Sequence, residues 1–123
     1  MIVAENSKLI EIERPPLTEA AVLVRLVLPG DSEDEVEESL AEMRRLAWTA
    51  GAEVACTIVQ RRAAPCPATL IGAGKVEQIR SAVDELEANL VIFDSDLSPT
   101  QGSKLQKSLG VKVLDRTQLI LDI

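Results

Sequence analysis

Residues 20–28 read AAVLVRLVL, a near-continuous aliphatic run. A strand exposed on one face alternates apolar and polar residues, whereas a continuous run suits a strand covered on both faces, as in a parallel sheet. Pro29, Gly30 and Asp31 end the run. Asp31 or Ser32 then caps a helix, with the acidic residues that follow at its positive N-terminal end. On this helix Val36, Leu40, Met43, Ala47 and Ala50 recur at spacings of three and four, forming one apolar stripe that Gly51 terminates.

Working outward, residues 53–59 form a second strand. A loop over residues 60–74 follows, and its prolines and glycines predict a mobile segment. Val76, Ile79, Val83 and Leu86 share one face of a second helix, and residues 90–93 make a third strand ending at Asp94. Ser98 caps a third helix with Pro99 in its first position; this helix carries Leu105 and Leu109 and ends at Gly110. Residues 111–114 form a fourth strand ending at Asp115, and a last helical segment starts near Thr117. Strands alternating with helices imply right-handed crossovers and a parallel sheet. The expectation is a small three-layer α/β domain over residues 20–123: a four-stranded parallel sheet in the order 2-1-3-4 with helices on both faces. Residues 1–19 read as an N-terminal arm set off by Pro15 and Pro16, in which residues 9–12 have the pattern of an edge strand. Residues 119–123, LILDI, open an apolar helix with no stop signal, so the natural protein is expected to continue.

Composition narrows the chemistry. Hydrophobic residues make up 46% of the 123, enough for one folded core, and aromatics only 2%. With Trp48 and Phe93 alone, the core is aliphatic and platforms for stacking on unpaired bases are few. The net charge is −7. Residues 1–60 carry twelve acidic and five basic side chains and residues 61–123 eight of each, so the whole excess lies in the first half, most of it in residues 31–42. Such a body repels phosphate backbones, and any nucleic-acid contact must be local. There is no histidine, and Cys56 and Cys66 match no zinc spacing, so reduced cytosolic thiols are expected and no metal site. The first residues show no secretory signal, and no apolar stretch reaches the roughly 20 residues a membrane span needs.

Four features bear on chemistry. Gly72-Ala73-Gly74-Lys75 precedes a helix, where backbone N–H groups can cradle phosphate. A P-loop fails at two positions, Thr69 and Val76, and a dinucleotide fingerprint fails at Glu77, which leaves a plain capped loop or an anion site. Arg61 and Arg62, with Lys75 and Arg80, make residues 60–80 the one net-positive stretch, opposed by Glu77 alone. It follows a strand's C-terminal end, where open parallel sheets place ligands, although a surface arginine pair is often merely solvated. Asp94, Asp96 and Asp115 stand at strand ends; without a second acidic residue beside Asp31 or a fifth strand, they read as caps and turns rather than a phosphoryl acceptor. Trp48 lies about 120° from Val36 on the helical wheel, off the apolar stripe, at a helix flank or a contact with a partner domain. No nucleophile–base pair can be assembled, and catalysis by this chain alone is not expected.

Several blocks in order (QRRAAPCPATLIGAGKVEQI, LVIFDSDLSPTQ and LGVKVLDRTQLILDI, with ESLAEMRRLAWTAGAEV before them) resemble the N-terminal domain of the HflX family of ribosome-associated GTPases. The resemblance implies a cytoplasmic GTPase whose N-terminal α/β unit precedes a helical hairpin and a GTPase domain, both absent from this sequence. It implies binding to the large ribosomal subunit and ribosome dissociation or rescue under stress. GTP and magnesium belong to the absent GTPase domain, which is also a partner of this module. Gln60, Arg61, Arg62, Gly72, Gly74, Lys75 and Arg116 match family motifs and are the implied rRNA contacts. Leu70 departs from the family's usual aromatic, Ala73 from a polar or basic residue, and Trp48 from a polar one; Gly102 lies inside the third helix at a cost of about 1 kcal/mol relative to Ala. Two other readings stay open: a nucleotide- or anion-binding regulatory domain using the turn from Gly72 to Lys75, and a structural module docking its GTPase domain through the acidic helix or Trp48.

Overall fold

A computed structural model describes residues 19–122. The elements are β1 (Glu19–Val27), α1 (Glu33–Thr49), β2 (Ala52–Arg61), α2 (Ala73–Leu86), β3 (Leu90–Phe93), α3 (Pro99–Leu109), β4 (Lys112–Leu114) and α4 (Arg116–Leu121). All strand pairs are parallel and the order is β2-β1-β3-β4, as the sequence predicts. Strand alternation divides the core. Val22, Val24 and Leu26 of β1, with Val91 and Phe93 of β3, pack with the apolar faces of α2 and α3. Ala21, Leu23 and Val27, with Leu90 and Ile92, pack with Val36, Leu40, Met43 and Ala47 of α1 and Leu119 of α4. A bulge keeps β2 in step: Ala21 pairs with Val54 but Val22 with Cys56, so Ala55 is extra and Ile58 reaches the α2 and α3 side.

The caps explain where the helices begin. Ser32 Oγ accepts from Glu35 N at 3.3 Å and starts α1, while Asp31 accepts from Leu28 N at 2.9 Å and closes the preceding turn. Ser98 and Gln101 form a capping box on α3 around Pro99. Asp115 and Gln118 form another, which starts α4 at Arg116, one residue before Thr117.

Several boundaries differ from the sequence reading, as does the exposure of Leu86. Glu19 belongs to β1, paired with Ala52, and not to the arm. Gln60 and Arg61 belong to β2 and not to the loop, because β1 runs to Val27, which pairs with Arg61 and accepts from Arg62 N at 3.0 Å. Gly74 lies in the first turn of α2, since Gly72 O accepts from both Lys75 N and Val76 N at 3.0 Å. Leu86 is 42% exposed, in the last turn before Glu87, whose φ of 53° ends the helix. The expected edge strand at residues 9–12 lies outside the described residues. No helix among the described residues is long and apolar enough to cross a membrane.

Gly102 sits in α3 with nothing within 4 Å of an added Cβ. Gly102→Ala is therefore expected to stabilise the chain by about 0.5–1 kcal/mol through reduced backbone entropy of the unfolded state. Thermal melting checks this: the midpoint rises by several degrees, and an unchanged or lower midpoint would contradict the open space around this position.

Candidate nucleic-acid interface

The strands point their carboxyl ends to one rim, which carries the loop between β2 and α2. Its two ends are tied together. Gln60 Oε1 accepts from Gly72 N at 2.9 Å, Arg62 Nε donates to Ala64 O at 3.0 Å, and Gln101 Nε2 donates to Pro67 O at 3.2 Å. Within the loop Cys66 and Leu70 exchange backbone hydrogen bonds of 2.9 and 2.8 Å, and Thr69 Oγ1 donates to Ile71 O at 2.8 Å. Leu70, with φ of 69°, and Ile71 are buried in the α2 and α3 side of the core. The segment expected to be mobile is thus closed by hydrogen bonds and anchored by two apolar side chains.

Above this frame lie the positive groups. A Cβ added to Gly72 would stand 2.8 Å from Arg62 Nη1, so glycine lets the guanidinium rest against the start of α2. Gly72 supplies no side-chain cap, and the first turn of α2 has no acidic residue. The helix N–H groups, Arg62 and Lys75 in the first turn therefore combine into one electropositive spot. Arg61, one residue earlier on β2, alternates to the α1 side instead, 67% exposed and 3.5 Å from Glu33. Arg80 is not part of this group: it lines a groove between the C-terminal ends of α2 and α3 with Asp84, Glu87 and Lys107.

Arg116 is placed differently from the loop residues. Its Nη1 donates to Asp94 Oδ1 at 2.8 Å and its Nη2 to Glu42 Oε1 at 2.7 Å. Asp94 is 2% exposed. Arg25 Nη1 meets its Oδ2 at 3.1 Å, and Ser39 Oγ lies 3.0 and 2.8 Å from its two oxygens. The sequence reading missed this network. The signal was Arg25, a charge inside an aliphatic strand buried on both faces, which requires a buried counter-charge. Asp96 and Asp115 do form caps and turns: Asp96 accepts from Thr117 Oγ1 at 2.9 Å, and Asp115 from Leu97 N at 3.0 Å and Gln118 N at 2.8 Å.

Among the described residues no group of metal-ligating side chains comes together. With Thr69 and Val76 at positions a P-loop needs as Gly and Ser or Thr, the residues present do not fit a nucleotide triphosphate with its magnesium. Both cysteines are free. Burial pushes the half-buried Cys56 thiol up. Backbone N–H groups of Ala68 and Thr69, then the Thr69 hydroxyl and the Arg62 charge, pull the Cys66 thiol below its usual range.

Asp94→Asn leaves two guanidinium groups without their shared counter-charge, and a loss of about 3–5 kcal/mol in denaturant unfolding is expected; a loss under 1 kcal/mol would show the network to be idle. Because its thiolate persists to lower pH, Cys66 should be alkylated by iodoacetamide before Cys56, by a margin that widens as pH falls through the ordinary thiol range. Peptide mass mapping reads this directly, and equal rates would contradict it.

Residues 37–123 match the family model described as GTP-binding GTPase N-terminal. The chain is 39% identical over 105 residues to the GTPase HflX of Flavobacterium psychrophilum, a match covering 85% of this chain and 25% of that protein. The GTPase HflX of Caldanaerobacter subterraneus subsp. tengcongensis is 44% identical over 105 residues, covering 85% of this chain and 24% of its own length. A solved GTP-binding protein of the hyperthermophilic archaeon Sulfolobus solfataricus, in complex with GDP, has the same fold: TM-score 0.59 at 24% identity, over 85% of this chain and 29% of that one. The chain spans about a quarter of the length of the curated relatives it matches. A family match that runs from within α1 to residue 123, together with these relatives, shows that the chain belongs to the HflX GTPase family as its N-terminal domain.

Proposed function

We propose that this domain is the ribosome-facing module of an HflX-type GTPase and engages rRNA phosphates of the large ribosomal subunit through the loop between β2 and α2. The observation that carries the proposal is one electropositive spot on an acidic body: Arg62 over Gly72, Lys75 in the first turn and an uncapped α2 N-terminus, on a chain of net charge −7. Positive charge at one place gives a phosphate backbone one place to land. Arg61 and Arg62 supply guanidinium donors, Lys75 an ammonium, and Gly74 a helix-start N–H. Gln60 and Gly72 hold the loop in shape, and Arg116 acts through Asp94 by fixing α4 against the same rim. GTP and magnesium are bound elsewhere in the full-length protein, whose work is ribosome dissociation or rescue in the cytoplasm under stress.

A second reading takes the same α2 N-terminus as a site for a free nucleotide or anion. The missing side-chain cap favours it, and the Arg62 guanidinium 2.8 Å from the Cβ position of Gly72 restricts it to a small anion unless the arginine moves.

Co-sedimentation with purified large ribosomal subunits across a salt series tests the proposal. Binding should weaken with salt. Each phosphate that a side chain neutralises adds roughly 0.7 to the log–log salt slope, so Arg61→Ala/Arg62→Ala/Lys75→Ala should flatten that slope by about 2. Bound subunits should also shield Cys66 from alkylation. Salt-independent binding, or binding unaffected by the triple variant, would sink the loop as the contact. Calorimetric binding of GTP or ATP without ribosomes would favour the second reading.

A further inference from the structure

We propose that the outer edge of β2, with the acidic groove beside it, is a docking site for an extended basic segment of a partner protein, which joins the sheet as a fifth strand. β2 spans Ala52–Arg61 and stands at the end of the strand order, with no strand on its outer side among the described residues. Proteins usually blunt such edges with proline, lysine or a covering element. In β2 the two charges, Glu53 and Arg61, lie near its ends, and residues 54–60, VACTIVQ, carry neither charge nor proline. Arg62 N donates to Val27 O, so alternation turns the backbone N–H groups of Thr57, Val59 and Arg61 outward. Val59 is 37% exposed, one of the few large apolar side chains so placed.

A groove of about 270 Å³ lies on the α1 side of that edge. Val36, Leu40 and Val59 line its apolar part, and Asp31, Glu33 and Glu37 its acidic part. A strand added to β2 would lie about 4.8 Å away and point every second side chain to this face. The groove therefore takes apolar side chains, and the rim selects what accompanies them. Residues 31–42 carry seven acidic and no basic side chains. Three cations are already engaged nearby: Arg25 lies 3.6 Å from Asp31, Arg44 Nη2 donates to Thr57 Oγ1 at 3.2 Å on the edge strand, and Arg61 is held to Glu33 by an exposed 3.5 Å pair that a competing lysine or arginine can replace. This leaves Glu37 among the groove's carboxylates with no ion pair among the described residues. Charge complementarity thus points to a segment in which β-branched apolar residues alternate or mix with Lys and Arg. A second copy of this chain, at net charge −7, does not meet that requirement. Residues 1–18, with three acidic against two basic side chains, do not meet it either.

The test uses the full 123-residue chain and two labelled peptides of equal charge, Lys-Val-Lys-Val-Lys-Val-Lys and Lys-Gly-Lys-Gly-Lys-Gly-Lys. Fluorescence anisotropy should show the valine peptide binding at least tenfold more tightly. Glu33→Lys/Glu37→Lys, both on the exposed face of α1, should abolish that binding while the chain keeps a single cooperative thermal transition, lowered by a few degrees as the helix N-terminus loses its favourable charge. The amides of Thr57, Val59 and Arg61 should gain hydrogen-exchange protection when the valine peptide is bound. Equal binding of the two peptides would reduce the edge to plain charge adhesion and overturn the proposal. So would binding that survives the double reversal. Absence of binding would overturn it too; the outward amides would then be already protected if residues 1–18 cover the edge, and light scattering would show a dimer if a second copy does.

Discussion

Asp94 leaves β3 where the strand order reverses, and how its carboxylate is held governs the whole rim. Alternation sends Phe93 to the α2 and α3 side and Asp94 to the α1 and α4 side. There Arg25 of β1, Ser39 of α1 and Arg116 of α4 converge on its two oxygens. A carboxylate at this depth is tolerable only because each oxygen meets a guanidinium and a hydroxyl. The net contribution of such a cluster to stability is small, since desolvation offsets attraction, but its loss is costly. Its effect is positional: it allows one seating of α1 and α4 against the sheet. Open α/β sheets usually place a ligand in the crevice at this switch point. Here the chain's own ion pairs fill it.

The loop after β2 is well suited to presenting charge. Its apolar residues Leu70 and Ile71 are sunk into the core, while its polar backbone is closed on itself and on Gln60. Arginine and lysine side chains lose less conformational freedom on meeting a phosphate when the backbone beneath them is already fixed. Leu70 is buried at 8% exposure, so at this position the chain uses the residue as an anchor and not as a stacking surface. Phe93, at 0% exposure, offers no stacking surface either.

The fold was legible because β1, β3 and the helix stripes are strongly patterned, and because α1, α3 and α4 announce their starts. Residues 20–28 demanded cover on both faces, and Ser32, Ser98 and Asp115 gave α1, α3 and α4 their caps. Helical crossovers implied a parallel sheet, and the order 2-1-3-4, which handedness alone does not fix, is the order the structure has. What could not be read was pairwise. The extension of β2 through Arg61 depends on Val27 of β1, and the folding of Gln60 onto Gly72 depends on a contact across twelve residues. The same holds for Arg116, whose family motif gave no hint that Asp94 and Glu42 engage it. Composition identified residues 60–80 as net positive, yet helical geometry carries Arg80 away along α2, a separation invisible in a charge count.

The two charged regions lie close together, and their proximity constrains how an anionic partner can approach. Arg61 ends β2 with its guanidinium 3.5 Å from Glu33, at the border between the acidic first half of α1 and the cationic start of α2. A phosphate backbone that reached Arg62 and Lys75 from the α1 side would have to pass Glu33, Asp34 and Glu37. From the α2 side it meets no acidic residue in the helix's first turn. The acidic helix therefore disfavours approach of any phosphate group from the α1 side.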